Sequence, residues 1–577
     1  MTWPLAGRRA PGRPAIVATL ALALFSGGIA MADHRDPSRP IERRTKHAGQ
    51  VPASAAPVAF VDAGPTPRRQ AIDFELELAF PGRDAMQAYA LGVTDPASPD
   101  YRRFLTADEI GRRFGLDDEA IRRVIEWASA HRLTVGDVSP QRIGIAVRAP
   151  VRDVEAAFDV TLRDFVDAQG HRYHAPVETP LIPPELDGLV TAVTGLDARP
   201  TERPAFIAPI AAGPAGGLTP AVIDRAYELE GLRAQGLHGE GQTVAIVSLD
   251  TFDADDVAKF DRMAGTSGPR VQRVKVNGGF DRPGDDQDEV NLDIDVIRAV
   301  APKAQIINYE SPNRSGALAN VVDRIVADGK AEIISISWGS CEPVRSPDGL
   351  SRMARSLAAA AAAGITVFVA SGDHGAYGCI DQDRQDLRIA VDSPASDVNV
   401  VAVGGTYASM LPDGTYIEEA GWEEPLTGWA PGGGLSVVYG RPSWQRGPGV
   451  DNARSNGKRQ VPDVAGPADP DSGFLTVSVG EASSGGGTSA AAPFWAGYTL
   501  LVRQLAERDG VRGLGALGPV LYTLAASRPA GELFHDVTKG GNLYDDAGAG
   551  WDYATGLGTP RGTALARAIV DAVKGVD

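Results

Sequence analysis

Cys341 and Cys379 are the only cysteines in 577 residues, and that scarcity excludes a disulfide-built scaffold or a cysteine-based zinc site. Positive charge is also short: 56 Lys and Arg stand against 74 Asp and Glu, a net of −18. Residues 1–200 hold 24 of those basic and 26 of those acidic residues, so −16 of the charge lies in the body beyond. An acidic body argues against nucleic acid or an anionic membrane as partner. After the N-terminus no apolar run is long enough to span a bilayer. Histidine is sparse as well, with only His238, His374 and His535 beyond residue 217.

What is there begins with an N-terminus in which Arg8, Arg9 and Arg13 precede an apolar run over 15–25 and a small-residue site at Ala30-Met31-Ala32. This is the layout of a secretory signal peptide over 1–32, cleaved after Ala32, with an uncleaved anchor as the alternative. The product is expected to be secreted or otherwise extracytoplasmic, with no membrane contact beyond that segment. Export would let Cys341 and Cys379 pair, which would contribute roughly 4 kcal/mol by restricting the unfolded chain. Spacing alone does not bring their Cα atoms together.

The length exceeds what one core usually serves, so more than one domain is expected. Residues 33–57 are polar and proline-bearing and read as a flexible linker. Over 58–196, strand patterns such as AIDFELELAF and RIGIAVRAP alternate with amphipathic helices, predicting a compact α+β domain. Thr106 and Glu109 form a capping-box pattern, and Ile121, Ile125 and Ala128 share one helix face. Residues 197–217 are rich in Pro, Ala and Gly and read as a linker open to proteolysis. From 218 to 577 apolar strands (TVAIVSL, AQIINYE, AEIISISW, ITVFVAS, NVVAVGG) alternate with helical patterns, predicting a doubly wound, mostly parallel α/β sheet. Ligand sites in such sheets lie just beyond the strand C-termini.

Four segments carry candidate chemistry. Ser489 follows Gly485-Gly486-Gly487-Thr488, a turn that would set it near a helix N-terminus, where N–H groups favour a developing anion; a plain N-cap serine is the bland alternative. Glu289 and Asp293 are spaced i, i+4 on one predicted helix face, a pattern also common in solvated acidic first turns. Asp373 lies in Ser371-Gly372-Asp373-His374-Gly375, directly after a predicted strand, though Asp in a Gly-flanked turn is commonplace. Asp536 and Asp552 flank a glycine-rich loop whose oxygens would suit calcium, as would those of an ordinary polar loop.

Taken in order, Glu-x-x-x-Asp, Ser-Gly-Asp and Gly-Thr-Ser-x-x-x-Pro resemble the motifs of the sedolisin/kumamolisin family of serine-carboxyl peptidases. The segments SPDYRRFLTADEIGRRFG, SISWG, GGGLSVVYGRPSWQ and VPDVAGPAD extend the resemblance over nearly the whole chain beyond the signal. It implies a subtilisin-like catalytic domain preceded by a ferredoxin-like α+β activation prodomain. It further implies Ser489 as nucleophile, Glu289 as general base, Asp293 orienting Glu289, and Asp373 as oxyanion-hole donor. One Ca²⁺ per chain would be held by the Asp536 and Asp552 carboxylates and the carbonyls of Val537, Gly548 and Gly550. Several family members carry a further Glu linked to the Glu-Asp pair; its place here is taken by Ser248.

A carboxyl donates a hydrogen bond only while protonated, so Asp373 must be neutral while Glu289 is ionised beside Asp293. These demands are met together most easily in acid, and activity is expected at roughly pH 3–5, where carboxylic acids titrate. Polypeptides are the expected substrates, the prodomain an intramolecular inhibitor, and the chain a monomer. The arginine pairs 102/103, 112/113 and 122/123 could meet the acidic body or simply be solvated helix faces. Alternatives are a tripeptidyl-peptidase of the same family, an inactive calcium-stabilised homologue or binding module, and a conventional subtilisin. The last would use Asp250, but it needs a histidine base, and none of the three available histidines opens a Gly-Thr-bearing helix.

Overall fold

The computed structural model describes residues 60–207, 218–381, 385–411 and 413–575. The expected signal peptide and first linker, and part of the second linker, lie outside the described residues. The apolar runs of the second half form one eight-stranded sheet. Its order is Gln272–Lys275, Gln305–Glu310, Thr243–Ser248, Ile333–Ile336, Thr366–Ala370 and Val401–Met410, all parallel. Val464–Pro467 joins the last of these in parallel, and Tyr416–Gly421 pairs with it antiparallel. Both faces are covered, which is why strands such as Thr366–Ala370 are buried at every position instead of alternating.

One face packs against the helices Gln287–Val300 and Thr488–Arg508. These helices approach closely at Gly497, where a Cβ would come within 2.9 Å of Val300 Cβ. The side chain is dispensed with so that the two backbones can meet. The opposite face carries Ala317–Asp328 and Pro347–Ala362.

The N-terminal domain is a four-stranded antiparallel sheet in the order Thr134–Val138, Gly144–Pro150, Ala71–Leu78, Val190–Thr194. Along the chain, helices lie between Ala71–Leu78 and Thr134–Val138 and between Gly144–Pro150 and Val190–Thr194, which is the ferredoxin-like arrangement. The Thr106 capping box opens the helix Ala107–Phe114, with both reciprocal bonds made. Asp118–Ala130 buries Ile121, Val124, Trp127 and Ala128, while Ile125 sits half-buried at the edge of that face.

The N-terminal domain seats its helices on the C-terminal one, and Met86, Tyr89, Ile110 and Phe114 enter the same apolar cluster as Leu318, Leu357 and Ala361. The charges at this seam have the opposite sense to the arginine pairs considered from sequence. The N-terminal domain contributes Glu75 and Glu77, and the C-terminal domain contributes the buried Arg352 and Arg355. Arg122 pairs with Glu119 and Glu126 on its own exposed helix, and Arg113 lies over the Tyr89 ring. Arg102 does reach the body, donating to the Arg512 and Gly513 carbonyls. Spacing along a helix identifies a charged face; it does not say which partner that face meets.

Cys341 and Cys379 are joined, with their Cα atoms 4.9 Å apart. The bond ties the strand Trp338–Cys341 to the 3₁₀ turn Gly378–Asp381, which follows the Asp373 loop.

Candidate functional site

Glu289 and Asp293 occupy the first two turns of the helix Gln287–Val300 and face the interior. The loop leading into that helix is held by Asp250, whose carboxylate accepts the N–H groups of Gly284 and Asp286 at 2.9 and 3.0 Å. Asp250 thus shapes a helix start and faces no imidazole in any of its hydrogen bonds. Ser489 is the second residue of Thr488–Arg508, a helix opened by Gly487 at φ 89°. A Cβ at Gly487 would lie 2.7 Å from Asp373 Oδ2 and 2.2 Å from the Ala205 carbonyl oxygen, so left-handed backbone and close approach both demand glycine.

Pro493 stands four residues beyond Ser489 and has no N–H to return to the Ser489 carbonyl. That carbonyl instead lies 3.4 Å from Ser337 Oγ. Ser337 Oγ donates its proton to the nearer Asp293 Oδ1 at 2.7 Å. Asp373 follows the strand Thr366–Ala370, and its Oδ1 accepts both the N–H and the hydroxyl of Thr488, at 2.7 and 2.8 Å. Three strand or helix ends therefore converge on one point at the C-terminal rim of the sheet.

There the Ser489 hydroxyl donates to Glu289 Oε2 at 3.0 Å. Ser489, Glu289 and Asp293 are at most 1% exposed, so water does little to solvate their charge. Burial, and then the neighbouring Asp293, push Glu289 well above the usual carboxylate range, while the Ser489 hydrogen bond pulls it back. Burial raises Asp293 to about 8, against the pull of Ser337. Glu289 Oε1 and Asp293 Oδ2 have no hydrogen-bond partner among the described residues, an arrangement suited to a proton shared between the two carboxylates. Ser248 does not take part: its hydroxyl donates to Asn308 Oδ1 at 2.5 Å, one strand away.

Part of the stretch read as an open linker is built into this site. Arg203–Pro204 is a short strand antiparallel to Trp338–Cys341. The Ala205 N–H donates to the Ser337 carbonyl at 3.0 Å, and the Ala205 carbonyl accepts the Ser489 N–H at 3.1 Å. Ile207 packs on Trp422 and Ala468.

Residues 59–199 match the pro-kumamolisin activation domain, and residues 283–516 match the subtilase family. Kumamolisin from Bacillus sp. (strain MN-32) is 34% identical across 94% of this chain and 99% of its own length. The chain belongs to the sedolisin/kumamolisin family. It is a serine-type peptidase of that family with an activation prodomain, which acts as an intramolecular inhibitor. Tripeptidyl-peptidase 1 from Canis lupus familiaris is 28% identical across 89% of this chain and 94% of its own length. A solved Pseudomonas sedolisin, complexed with two molecules of pseudo-iodotyrostatin, shares 31% identity. It covers 62% of this peptidase and 99% of that chain, with a TM-score of 0.54.

The structure thus brings Ser489, Glu289, Asp293 and Asp373 together. Sequence reasoning missed Ser337, Thr488 and the residues around Ala205 as parts of the site. Ser337 carried a usable signal, being a polar residue directly after an apolar strand; residues 202–207 carried none.

The second cluster forms a loop of its own. Asp536 accepts the Gly550 N–H with both oxygens, at 3.0 and 3.1 Å, and Asp552 Oδ2 accepts the Gly548 N–H at 3.0 Å. The carbonyls of Val537, Gly548 and Gly550 accept no hydrogen bond among the described residues. Neither carboxylate has an ion-pair partner there, and burial raises both, Asp552 to about 6. Two uncompensated carboxylates beside free carbonyls are a donor set that fits a hard cation.

Proposed function

We propose that the peptidase is an exported, acid-active endopeptidase made as a self-processing zymogen, with Ser489 as nucleophile and Glu289 as general base. Asp293 orients Glu289, and Asp373 donates to the oxyanion. The hydrogen bond from Ser489 Oγ to Glu289 Oε2 carries this reading. As Oγ adds to a peptide carbonyl, Glu289 takes the hydroxyl proton and later returns it to the leaving amine. The shared proton on the Glu289 and Asp293 pair lets Glu289 begin as the anion without two full charges being buried side by side. The oxyanion is met by the Ser489 N–H and by protonated Asp373, whose other oxygen is anchored on Thr488. Because Asp373 donates only in its acid form, activity is confined to acid, at roughly pH 3–5.

Endopeptidase action is supported by the course of residues 201–207. They run continuously past Ser489, with Thr201, Glu202, Arg203 and Pro204 seated ahead of Ala205. Arg8, Arg9, Arg13 and the apolar run behind them support export, with cleavage after Ala32. Among the described residues no helix is long and apolar enough to cross a membrane. The substrates are polypeptides, and the chain acts as a monomer. One Ca²⁺ per chain, held by Asp536, Asp552, Val537, Gly548 and Gly550, would supply the positive charge that this loop lacks. Its chemistry there is structural.

The test is to incubate purified precursor at pH 4 with a peptide library and read the products by mass spectrometry. Internal cleavages are expected, with none from Ser489→Ala. Asp373→Asn, whose amide donates at any pH, is expected to hold its residual activity from pH 4 to 7. A wild-type profile that stays flat to pH 8 defeats the acid reading, and release of tripeptides alone defeats the endopeptidase reading.

A further inference from the structure

The segment lying across Ser489 is held at one residue far more firmly than at the others. Glu202 is 3% exposed, and both of its carboxylate oxygens accept from Arg345, Oε1 from Nη1 at 2.6 Å and Oε2 from Nη2. Arg345 also donates to the Ser393 carbonyl at 3.3 Å. The backbone here is clamped too: Asn313 Oδ1 accepts the N–H groups of Thr201 and Glu202, and Asn313 Nδ2 donates to the Glu202 carbonyl at 2.9 Å. From Glu202 the chain pairs Arg203 with Gly339 and Pro204 with Trp338, and reaches Ala205 with its carbonyl oxygen on the Ser489 N–H. Adding a strand to a sheet edge in this way fixes register through main-chain bonds, and side-chain pockets provide the selectivity.

We propose that residues 202–207 are the peptidase's built-in first substrate, cut between Ala205 and Phe206, and that Arg345 determines specificity by selecting a carboxylate on the fourth residue ahead of the scissile bond. This rests on the function proposed above. Ser489 Oγ adds to the Ala205 carbonyl carbon while its proton passes to Glu289. The bond to the Phe206 nitrogen then breaks as that proton is delivered to the departing amine. Water hydrolyses the resulting Ala205 ester, which regenerates the Ser489 hydroxyl and leaves Phe206 as the mature N-terminus. When the prodomain departs, Glu202 leaves with it, and Arg345 remains in the cleft wall without its carboxylate. A guanidinium held in place by the Ser393 carbonyl presents the same two donors to the next chain in the cleft, so a later substrate that restores the two-point contact is favoured. Ile207, seated on Trp422 and Ala468 with Trp429 beside it, marks an apolar position on the far side of the cut.

The test uses full-length precursor together with synthetic peptides of the sequence 199–208 carrying Glu, Gln or Lys at the position of Glu202. N-terminal sequencing of the processed protein is expected to read Phe206. At pH 5, where a glutamate is mostly ionised, kcat/KM for the Glu peptide is expected to exceed that for the Gln peptide by about 10- to 100-fold. The Lys peptide should be poorer still. Arg345→Met is expected to bring the Glu-to-Gln ratio to within about twofold, and Arg345→Glu to reverse the preference toward Lys. Equal cleavage of Glu and Gln peptides by the wild type overturns the inference even if the Arg345 variants do not fold. So does processing by an active enzyme at a bond other than Ala205 to Phe206. If neither precursor nor any peptide is cut, the proposed function falls and takes the inference with it.

Discussion

Glu289 and Asp293 beside Ser489, and Glu75, Glu77 and Asp323 at the seam between prodomain and catalytic domain, are all carboxylates largely removed from water. Their charge is handled in opposite ways. No hydrogen bond of the first pair comes from a cation, so burial drives both members upward and a proton is retained. At the seam, Arg352 reaches Glu75 and Asp323, and Arg355 reaches Glu77. Even there burial outweighs Arg352 at Glu75, which remains above its ordinary value. A guanidinium offsets desolvation without cancelling it, and no guanidinium supplies that offset at the pair proposed to carry a mobile proton.

The sign at Glu75 bears on activation. A carboxyl raised on docking contributes stability that is fully present below its free value and is lost as pH rises through the docked one. Acid therefore does not loosen the seam through Glu75. The cut proposed at Ala205 would then release the prodomain without help from the charge at Glu75.

The comparison breaks most decisively at the proposed catalytic pair. Glu289→Gln keeps the shape and removes the proposed base, and is expected to lower kcat/KM by about 10⁴- to 10⁶-fold in a peptide assay at pH 4. A loss of less than tenfold would mean that the unpaired carboxylate is not the proton acceptor. Arg352→Met imposes the cation-free condition on the seam. Leaving Glu75 and Asp323 buried without it should cost about 3–5 kcal/mol, read as a lowered Tm and faster proteolytic loss of the prodomain in Ser489→Ala precursor.

Asp293 gives the pH signature. With its value raised to about 8 in the fold, its stabilisation is complete below the free carboxylate range and is lost as pH climbs toward 8. The Tm of Ser489→Ala precursor is expected to fall by about 5 °C between pH 4 and pH 7.5, and Asp293→Asn to flatten that slope. The smallest effect belongs to Glu75→Gln. An amide oxygen still accepts from Arg352 and sheds the desolvated charge, so stability should change by about 1 kcal/mol or less. A larger loss would show that the charge at Glu75 matters more than its burial.

Much of the molecule was legible from local pattern. Strands apolar on both faces, such as ITVFVAS, could satisfy their side chains only inside a covered parallel sheet. The capping box at Thr106 closes reciprocally within four residues and needs no distant partner. Ser489, Glu289, Asp293 and Asp373 were readable because their motifs occur in a specific order. The prodomain seam was not legible in this way: the arginine pairs divide, Arg102 reaching the body and Arg122 staying on its own helix, while Arg352 and Arg355 look like ordinary members of an amphipathic helix.

The sequence by itself determined which residue types stand after which strand, and hence the covered sheet, the prodomain and a serine flanked by acids with no histidine in place. Only the tertiary structure decided that Ser489 meets Glu289, 200 residues upstream, that Arg345 closes on Glu202, and that Ala205 lies against the Ser489 N–H. Periodicity records what each segment buries. Hydrogen bonds and ion pairs across the rim depend on which strand ends the sheet order brings together, and that order exists only once the strands have paired.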